Sequence, residues 1–300
     1  MNRVPDSHSS SRLTTNINTH RSRLNLLQEH LATGRRINRP SDDPIGAEMV
    51  LNLRTSQTQL QQFHRSASAV GLRLTAADDS LANYQTSLDR VRTLLARGMS
   101  AVATTETKEA VAVELESIRT SMLSIANTIS GDEYVFGGTR QGIPPFDPAT
   151  GLPSALPATP RYVQIEPGAP AVATGVTAET VFGDATATIF QDISNAVTAL
   201  RGTGDADADR AALLNTMSRM TVHGSLAGTA QARIGAGMNS TEIVLENLAA
   251  NILSFDARAS EIEGADFTET AVGIADAQRA LDASLQAAGQ GRRTLFDFLG

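Results

Sequence analysis

From Leu60 to Val102 the apolar residues recur in alternating steps of three and four: Leu60, Phe63, Ala67, Val70, Leu74, Ala77, Leu81, Tyr84, Leu88, Val91 and Leu95, then Gly98 and Val102. A stripe that keeps a seven-residue period for six heptads lines one seam of a helix. Such a seam has to be covered by a partner helix rather than by a sheet or by water. At ~1.5 Å per residue these 43 residues make about 64 Å of helix, long for a globular domain. A coiled-coil seam and a long helix in a bundle core both satisfy the pattern, and neither requires any chemistry.

A second stripe follows in Val111, Leu115, Ile118, Met122, Ile125 and Ile129. Thr104 or Thr105 suits its N-cap, and Gly131 sits where a glycine would end it. The short connection predicts that this helix packs antiparallel to the first. The C-terminal third repeats the rhythm in Ile234, Met238, Thr241, Leu245, Leu248, Ile252, Phe255, Ala259 and Ile262. After Gly264 a poorer stripe runs Phe267, Thr270, Ile274, Ala277, Leu281, Ser284 and Ala288. With Ala and Ser in place of Leu, that last helix is marginal alone and needs a partner.

Residues 132–185 are of different composition. Proline and glycine cluster there, among short β-prone runs at Tyr134–Phe136, Tyr162–Ile165 and Glu179–Phe182, with a loose Ala/Pro/Thr stretch near 152–160. This predicts a small β-rich insert of strands and turns. Helix resumes near 186–201 and again near 208–222. The expected fold class is mainly α: an elongated long-helix bundle or coiled-coil rod built by the N- and C-terminal parts, carrying a β-rich inserted domain. The domain scheme is 1–45 as an N-terminal arm, 46–131 with 186–264 as the helical rod, 132–185 as the insert, and 265–300 as a C-terminal helix.

Composition removes most enzyme classes. There is no cysteine, so disulfides, thiolate metal sites and cysteine nucleophiles are excluded. His8, His20, His30, His64 and His223 contain no pair at metal-ligand spacing. Asp205, Asp207 and Asp209 resemble the start of a calcium loop but lack its glycine and its terminal glutamate, where Thr216 stands; helix capping accounts for them. Gly235-Ala236-Gly237 has no strand before it, and no Gly-x-Ser-x-Gly elbow occurs. No catalytic, cofactor or metal residue is expected. The net charge of −7 divides into +5 over residues 1–40, from seven arginines, and −12 over the rest. A basic arm on an acidic body suits nucleic acid, a membrane surface or an acidic protein partner, and the lack of interleaved aromatics weakens the nucleic-acid reading. No apolar run approaches the ~18–20 residues of a membrane span, and no apolar core of a cleaved leader is seen.

One stretch carries more: Thr33-Gly34-Arg35-Arg36-Ile37-Asn38-Arg39-Pro40-Ser41-Asp42-Asp43-Pro44. It parses as a helix stop at Gly34, an extended basic link, and a new helix capped by Asp42 or Asp43 with Pro44 in its first turn. This string resembles the signature of the bacterial flagellin superfamily. Pro44, where filament flagellins usually carry alanine, brings it nearer to the hook-associated junction family. Tyr134–Thr139 with Pro145-Phe146-Asp147 is similar to the segment opening that family's variable domain. Arg233-Ile234-Gly235 is similar to a turn entering its penultimate helix, and Thr294–Leu299 to its tail.

The resemblance implies a structural subunit of the bacterial flagellum, exported through the flagellar type III channel without a cleaved signal and placed extracellularly between hook and filament. Both chain ends would be disordered in the free subunit and would fold on assembly. The implied partners are further copies in a ring or helical layer, a neighbouring hook-associated protein, flagellin and an export chaperone, with no nucleic acid and no membrane insertion. The implied assembly surfaces are Arg35, Arg36, Asn38, Arg39, Pro40, Asp42, Asp43 and Pro44 in the joint, and Leu281, Leu285, Leu295, Phe296, Phe298 and Leu299 near the C-terminal end. A short filament flagellin and, outside this family, a coiled-coil adaptor or signalling protein remain open at this point.

Overall fold

The computed structural model describes residues 6–299 apart from 141, 157, 169–170 and 185, with side-chain surroundings from 11 to 288. In chain order the elements are α1 (Asp6–Thr33), α2 (Pro44–Gly98), α3 (Thr105–Ala126), β1 (Ile129–Ser130), β2 (Glu133–Tyr134), β3 (Tyr162–Val163), β4 (Val172–Ala173), α4 (Ala178–Phe182), α5 (Ile189–Arg201), α6 (Ala206–Glu263) and α7 (Phe267–Leu299). The fold is mainly α, with strands only as two antiparallel pairs among the described residues, β1–β2 and β3–β4. The chain divides into a central unit, Leu60–Ala250, and a terminal unit made of the chain up to Gln59 and from Asn251.

The central unit is organised by the α2 stripe. Every member from Ala67 to Leu95 is at most 4% exposed. Helix α6 runs antiparallel along it: Arg92 Nη2 donates to the Met220 carbonyl at 2.7 Å, Gln85 pairs with Gln231 at 2.9 Å, and Gly237 abuts Leu74. On another side α3 returns antiparallel, with Arg90 Nε 2.7 Å from Glu114. Helix α5 then lies antiparallel on α3, where Arg201 joins Glu109 and Glu116 at 3.0 and 2.7 Å. Those two carboxylates raise the Arg201 pKa, chiefly through Glu109.

The stripe ends earlier than its spacing predicts. Val102 lies outside α2 and is 86% exposed. The helix stops at Gly98, where a Cβ would stand 2.6 Å from Leu200 Cδ2, so the C-terminal end of α5 closes the seam one stripe position short. Thr104 does cap α3, accepting from the Thr107 amide at 3.2 Å. The expected stop at Gly131 is replaced by Asn127, whose side chain exchanges two hydrogen bonds with the backbone of Phe146 at 2.9 and 3.0 Å. Gly131, with φ +65°, turns the β1–β2 hairpin instead, and Ile129 is exposed. Segments 208–222 and 234–262 are one helix, α6, so Arg233-Ile234-Gly235 is helix interior rather than a turn. Asp205 caps that helix, accepting from the amides of Asp207 and Ala208, both at 3.1 Å.

The insert is held by ring packing. Phe182 sits among Tyr84, Phe136, Phe146 and Phe190, with centroid distances of 4.7, 5.4, 6.0 and 6.2 Å. In a chain with nine Phe and three Tyr, this places much of the aromatic content in one cluster at the side of α2. The predicted strand Glu179–Phe182 is the helix α4, because a helical turn there sends Ala178, Val181 and Phe182 all inward. The stretch expected to be loose is tied down as well: Asp147 N donates to the Leu152 carbonyl at 2.8 Å and Ser154 N to that of Pro145 at 2.9 Å. Arg73 of α2 and Arg161 both grip Glu133, and Arg140 pairs with Glu179.

One polar cluster is buried between α5 and α6. Asp192 accepts from His223 Nε2 at 2.8 Å and meets Arg219 Nε at 2.6 Å. Burial acts to raise the Asp192 pKa, but these two partners outweigh it and hold the carboxyl below its ordinary range. Glu133 is depressed in the same way, its burial outweighed by Arg161 and Arg73.

Two outcomes are expected. Leu81→Ala removes a fully buried member of the seam and should lower unfolding stability by about 2–5 kcal/mol, whereas Leu72→Ala on the exposed face should change it by less than about 0.5 kcal/mol, read from denaturant melts by circular dichroism. Depressed folded pKa values contribute stability above the unfolded carboxylate value of about 4, and that contribution is lost as pH falls through the lower folded values. The melting temperature should therefore drop steeply below about pH 4, and Asp192→Asn should lower it at neutral pH while flattening that acid dependence.

Candidate assembly site

The terminal unit pairs α1 with α7. The inward face of α1 reads Leu13, Ile17, His20, Leu24, Leu27 and His30, all half-buried. This three-four stripe is present in the sequence but is disguised by its two histidines and its polar flanks. Opposite, Thr270 and Ala277 are buried, and Ile274, Leu281, Ser284 and Ala288 are half-buried. The small residues of α7 allow the close approach: a Cβ on Gly273 would lie 3.2 Å from Leu27 Cδ1. Phe267, placed first in that stripe by its spacing, is instead exposed. A two-helix seam covers each side chain from one direction only, which is why none of the larger ones reaches the burial seen along α2. Large apolar side chains also stand outward on this unit, among them Ile45, Met49 and Leu51 of α2, Leu253 of α6, and Val272 and Leu285 of α7.

The joint at 33–44 is built as its residues suggest, with roles more finely divided. Helix α1 stops at Thr33, and Gly34 takes φ +69°. Asp43 is the cap of α2, accepting from the Gly46 amide at 2.9 Å, with Pro44 at the first helical position. Asp42 is not a cap. Its Oδ2 accepts from the amides of Arg39 and Asn38 at 2.8 and 3.1 Å and holds the link in shape. Both carboxyls lie below their usual range, Asp42 through its bond from Arg39 and Asp43 through that from Gly46, with Arg36 adding to the second.

This joint is laced to the one between α6 and α7. The Glu263 carbonyl accepts from Arg36 N at 2.6 Å, Gly34 O accepts from Ala265 N at 3.0 Å, and Arg36 Nη2 donates to Ile262 O at 3.2 Å. The Glu263 carboxylate receives Arg54 Nη2 at 2.6 and 2.7 Å and lies 3.5 Å from Arg35 Nε. The sequence reading missed Glu263 and Arg54. A usable signal was present: a glutamate as the last residue of a helix opposes the negative end of the helix dipole, so it calls for a cation.

Of the residues singled out from the sequence, Arg35, Arg36, Asn38, Asp42 and Asp43 all make bonds within this joint. Arg39 reaches Glu29 at 3.6 Å from an exposed position, and Pro40 and Pro44 are exposed. Leu281 faces α1 half-buried, while Leu285 is exposed. Leu295, Phe296, Phe298 and Leu299 fall on α7, but their side chains lie outside the described residues. No group of three or more His, Asp or Glu placed to hold a metal occurs among the described residues, and no described helix is long and apolar enough to cross a membrane.

Residues 6–140, which hold α1, the joint, α2, α3 and the first hairpin, match the family model described as the bacterial flagellin N-terminal helical region. That match covers a little under half of the chain and shows what this stretch is similar to. Flagellar hook-associated protein 3 of Salmonella typhimurium is 27% identical over 126 residues, 42% of this chain, and the match spans only 40% of that relative's length. The fold resembles Xanthomonas campestris FlgL with a TM-score of 0.61 at 16% identity, over 69% of this chain and 99% of that one. It also resembles the flagellar junction protein FlgL of Legionella pneumophila, with a TM-score of 0.56 at 14% identity over 72% and 100%. At these identities the likeness is one of fold: long helices bearing small strand pairs.

Asp43→Ala deletes the cap on this joint. It should weaken the first turn of α2 by about 1 kcal/mol, seen as faster hydrogen exchange at the Gly46 amide with the amides of 67–95 unchanged.

Proposed function

We propose that this chain is a non-enzymatic structural subunit of the bacterial flagellum that joins hook to filament by helical packing of subunits. The observation that carries the reading is the contrast within one molecule. The central seam is closed to solvent, whereas the terminal pair α1–α7 is only half-covered and is flanked by exposed Ile45, Met49, Leu253 and Val272. Such a surface is supported by neighbours in an assembly, and heterologous packing of this kind generates rings or helical layers. The matches to flagellar hook-associated protein 3 and to FlgL structures supply the setting.

On this reading the assembly surfaces are the exposed parts of the 35–44 joint and the α7 face from Leu281 to Leu299. The joint sets the direction in which the ends leave. The ends of the free subunit are disordered and gain order on docking, the behaviour of segments too poor in buried surface to hold their own fold. The partners are further copies, a neighbouring hook-associated protein, flagellin and an export chaperone, and the route outward is export as an unfolded chain without a cleaved signal. Pro44 favours the junction over a filament flagellin.

The test is deletion of the gene, imaging of purified hook–basal bodies and assay of the medium for flagellin. Hooks without filaments, with flagellin monomers in the medium, are expected. Hooks without filaments and no flagellin in the medium would make this chain the filament subunit itself. Normal filaments, in a strain with no second copy, would overturn the flagellar reading in favour of a coiled-coil adaptor.

A further inference from the structure

Glu263 ends α6 with a charge where the helix dipole opposes it, and it is one of only two buried carboxylates among the described residues. A carboxylate in that position is unfavourable unless cations offset it. The cations come from two places far apart in sequence: Arg54 on α2 and Arg35 in the first joint. The same residue's carbonyl takes the Arg36 amide. One residue thus ties the end of α6, the body of α2 and the link that follows α1.

The tie continues outward. Arg35 and Gly264 form an antiparallel bridge, and the Gly34 carbonyl, the first beyond α1, accepts from Ala265, two residues before α7 begins. Gly264 fits here because a Cβ would meet the Ser260 carbonyl oxygen at 2.5 Å. The two links are therefore a single two-stranded strap, fastened at one point by an ion pair. The ion pair with Arg54 is what ties the Glu263 side of the strap to the body of α2.

We propose that Glu263 is a positioning residue that orders the two chain ends as one unit. With its carboxylate clasped by Arg54 and Arg35, α1 and α7 gain order together as the subunit docks; with the clasp open, neither does. This rests on the structural-subunit reading above. Its consequence is a check on each incoming subunit, since a chain damaged at either end fails to strap the other.

The experiment co-produces differently tagged wild-type and variant chains in one cell and measures their ratio in detached flagella. Glu263→Gln keeps the shape and removes the charge, and should lower the variant's share about tenfold while the far-UV melt of the central unit stays unchanged. Restoring the pair in reverse, as Arg54→Glu with Glu263→Arg and with Arg35→Gln to avoid a second cation, should recover most of that share. In the Glu263→Gln subunits that do incorporate, protease cleavage in α1 and in α7 should rise together. An unchanged share for Glu263→Gln, a reversed pair no better than the single variant, or cleavage rising at one end only would overturn the proposal. Wild-type chain missing from flagella would instead overturn the flagellar reading, and this proposal with it.

Discussion

A helical stripe of period three and four must be covered, and the number of elements covering it decides what each part of the chain can do. Along α2 from Ala67 to Leu95 the cover comes from α3, α5, α6 and the aromatic cluster of the insert, and exposure falls to a few per cent or less. Burial of that kind contributes roughly 25 cal/mol per Å2 of apolar surface and makes the central unit self-sufficient. The α1–α7 pair follows the same rule with one partner per helix, and its stripe stays half-open. The difference between the two seams is therefore quantitative: the same periodicity with fewer neighbours.

Charge enters where apolar burial runs out. Asp192 fastens α5 to α6, Glu133 fastens the insert to α2, and Glu263 fastens the two links of the terminal unit; each carboxylate is held by two cationic or hydrogen-bonding partners. Pairs of this sort add little net stability compared with apolar contacts of the same size, but breaking one leaves a buried charge without its partner. They act as fixings of geometry. For the assembly role proposed above, fixed directions at the joints matter more than added stability.

Much of this was legible in the residues. The α2 stripe, the joint from Gly34 to Pro44, the capping role of the Asp205 cluster and the position of the insert follow from spacing and from residue chemistry that acts locally. The errors arise where a distant partner decides. Glu179–Phe182 has β-prone composition, but the ring cluster around Phe182 needs side chains on successive positions turned inward, which only a helix provides. Gly131 reads as a helix stop because the competing stop, Asn127, works through Phe146, nineteen residues away. Arg233-Ile234-Gly235 reads as a turn on resemblance, yet Ile234 sits on the stripe that packs against Leu74, and the helix continues through it. At the candidate site Asp43 was visible as a capping residue and Glu263 as a helix-end charge that calls for a cation, but its partner Arg54 was not, since the two stand 209 positions apart and meet only through the antiparallel run of α2 and α6. The stripe of α1 was hidden by His20 and His30, polar residues at seam positions.

The most direct measurement is residue-resolved hydrogen exchange on the subunit free in solution and again within detached flagella. The account predicts that amides of 67–95 are protected in both states, while those of α1 and of α7 exchange at nearly unfolded rates in the free subunit and become protected on assembly. Strong protection of α1 and α7 in the free monomer, equal to that of the central unit, would contradict it: the terminal pair would then need no neighbours, and its half-open seam would be a finished structure rather than a docking surface.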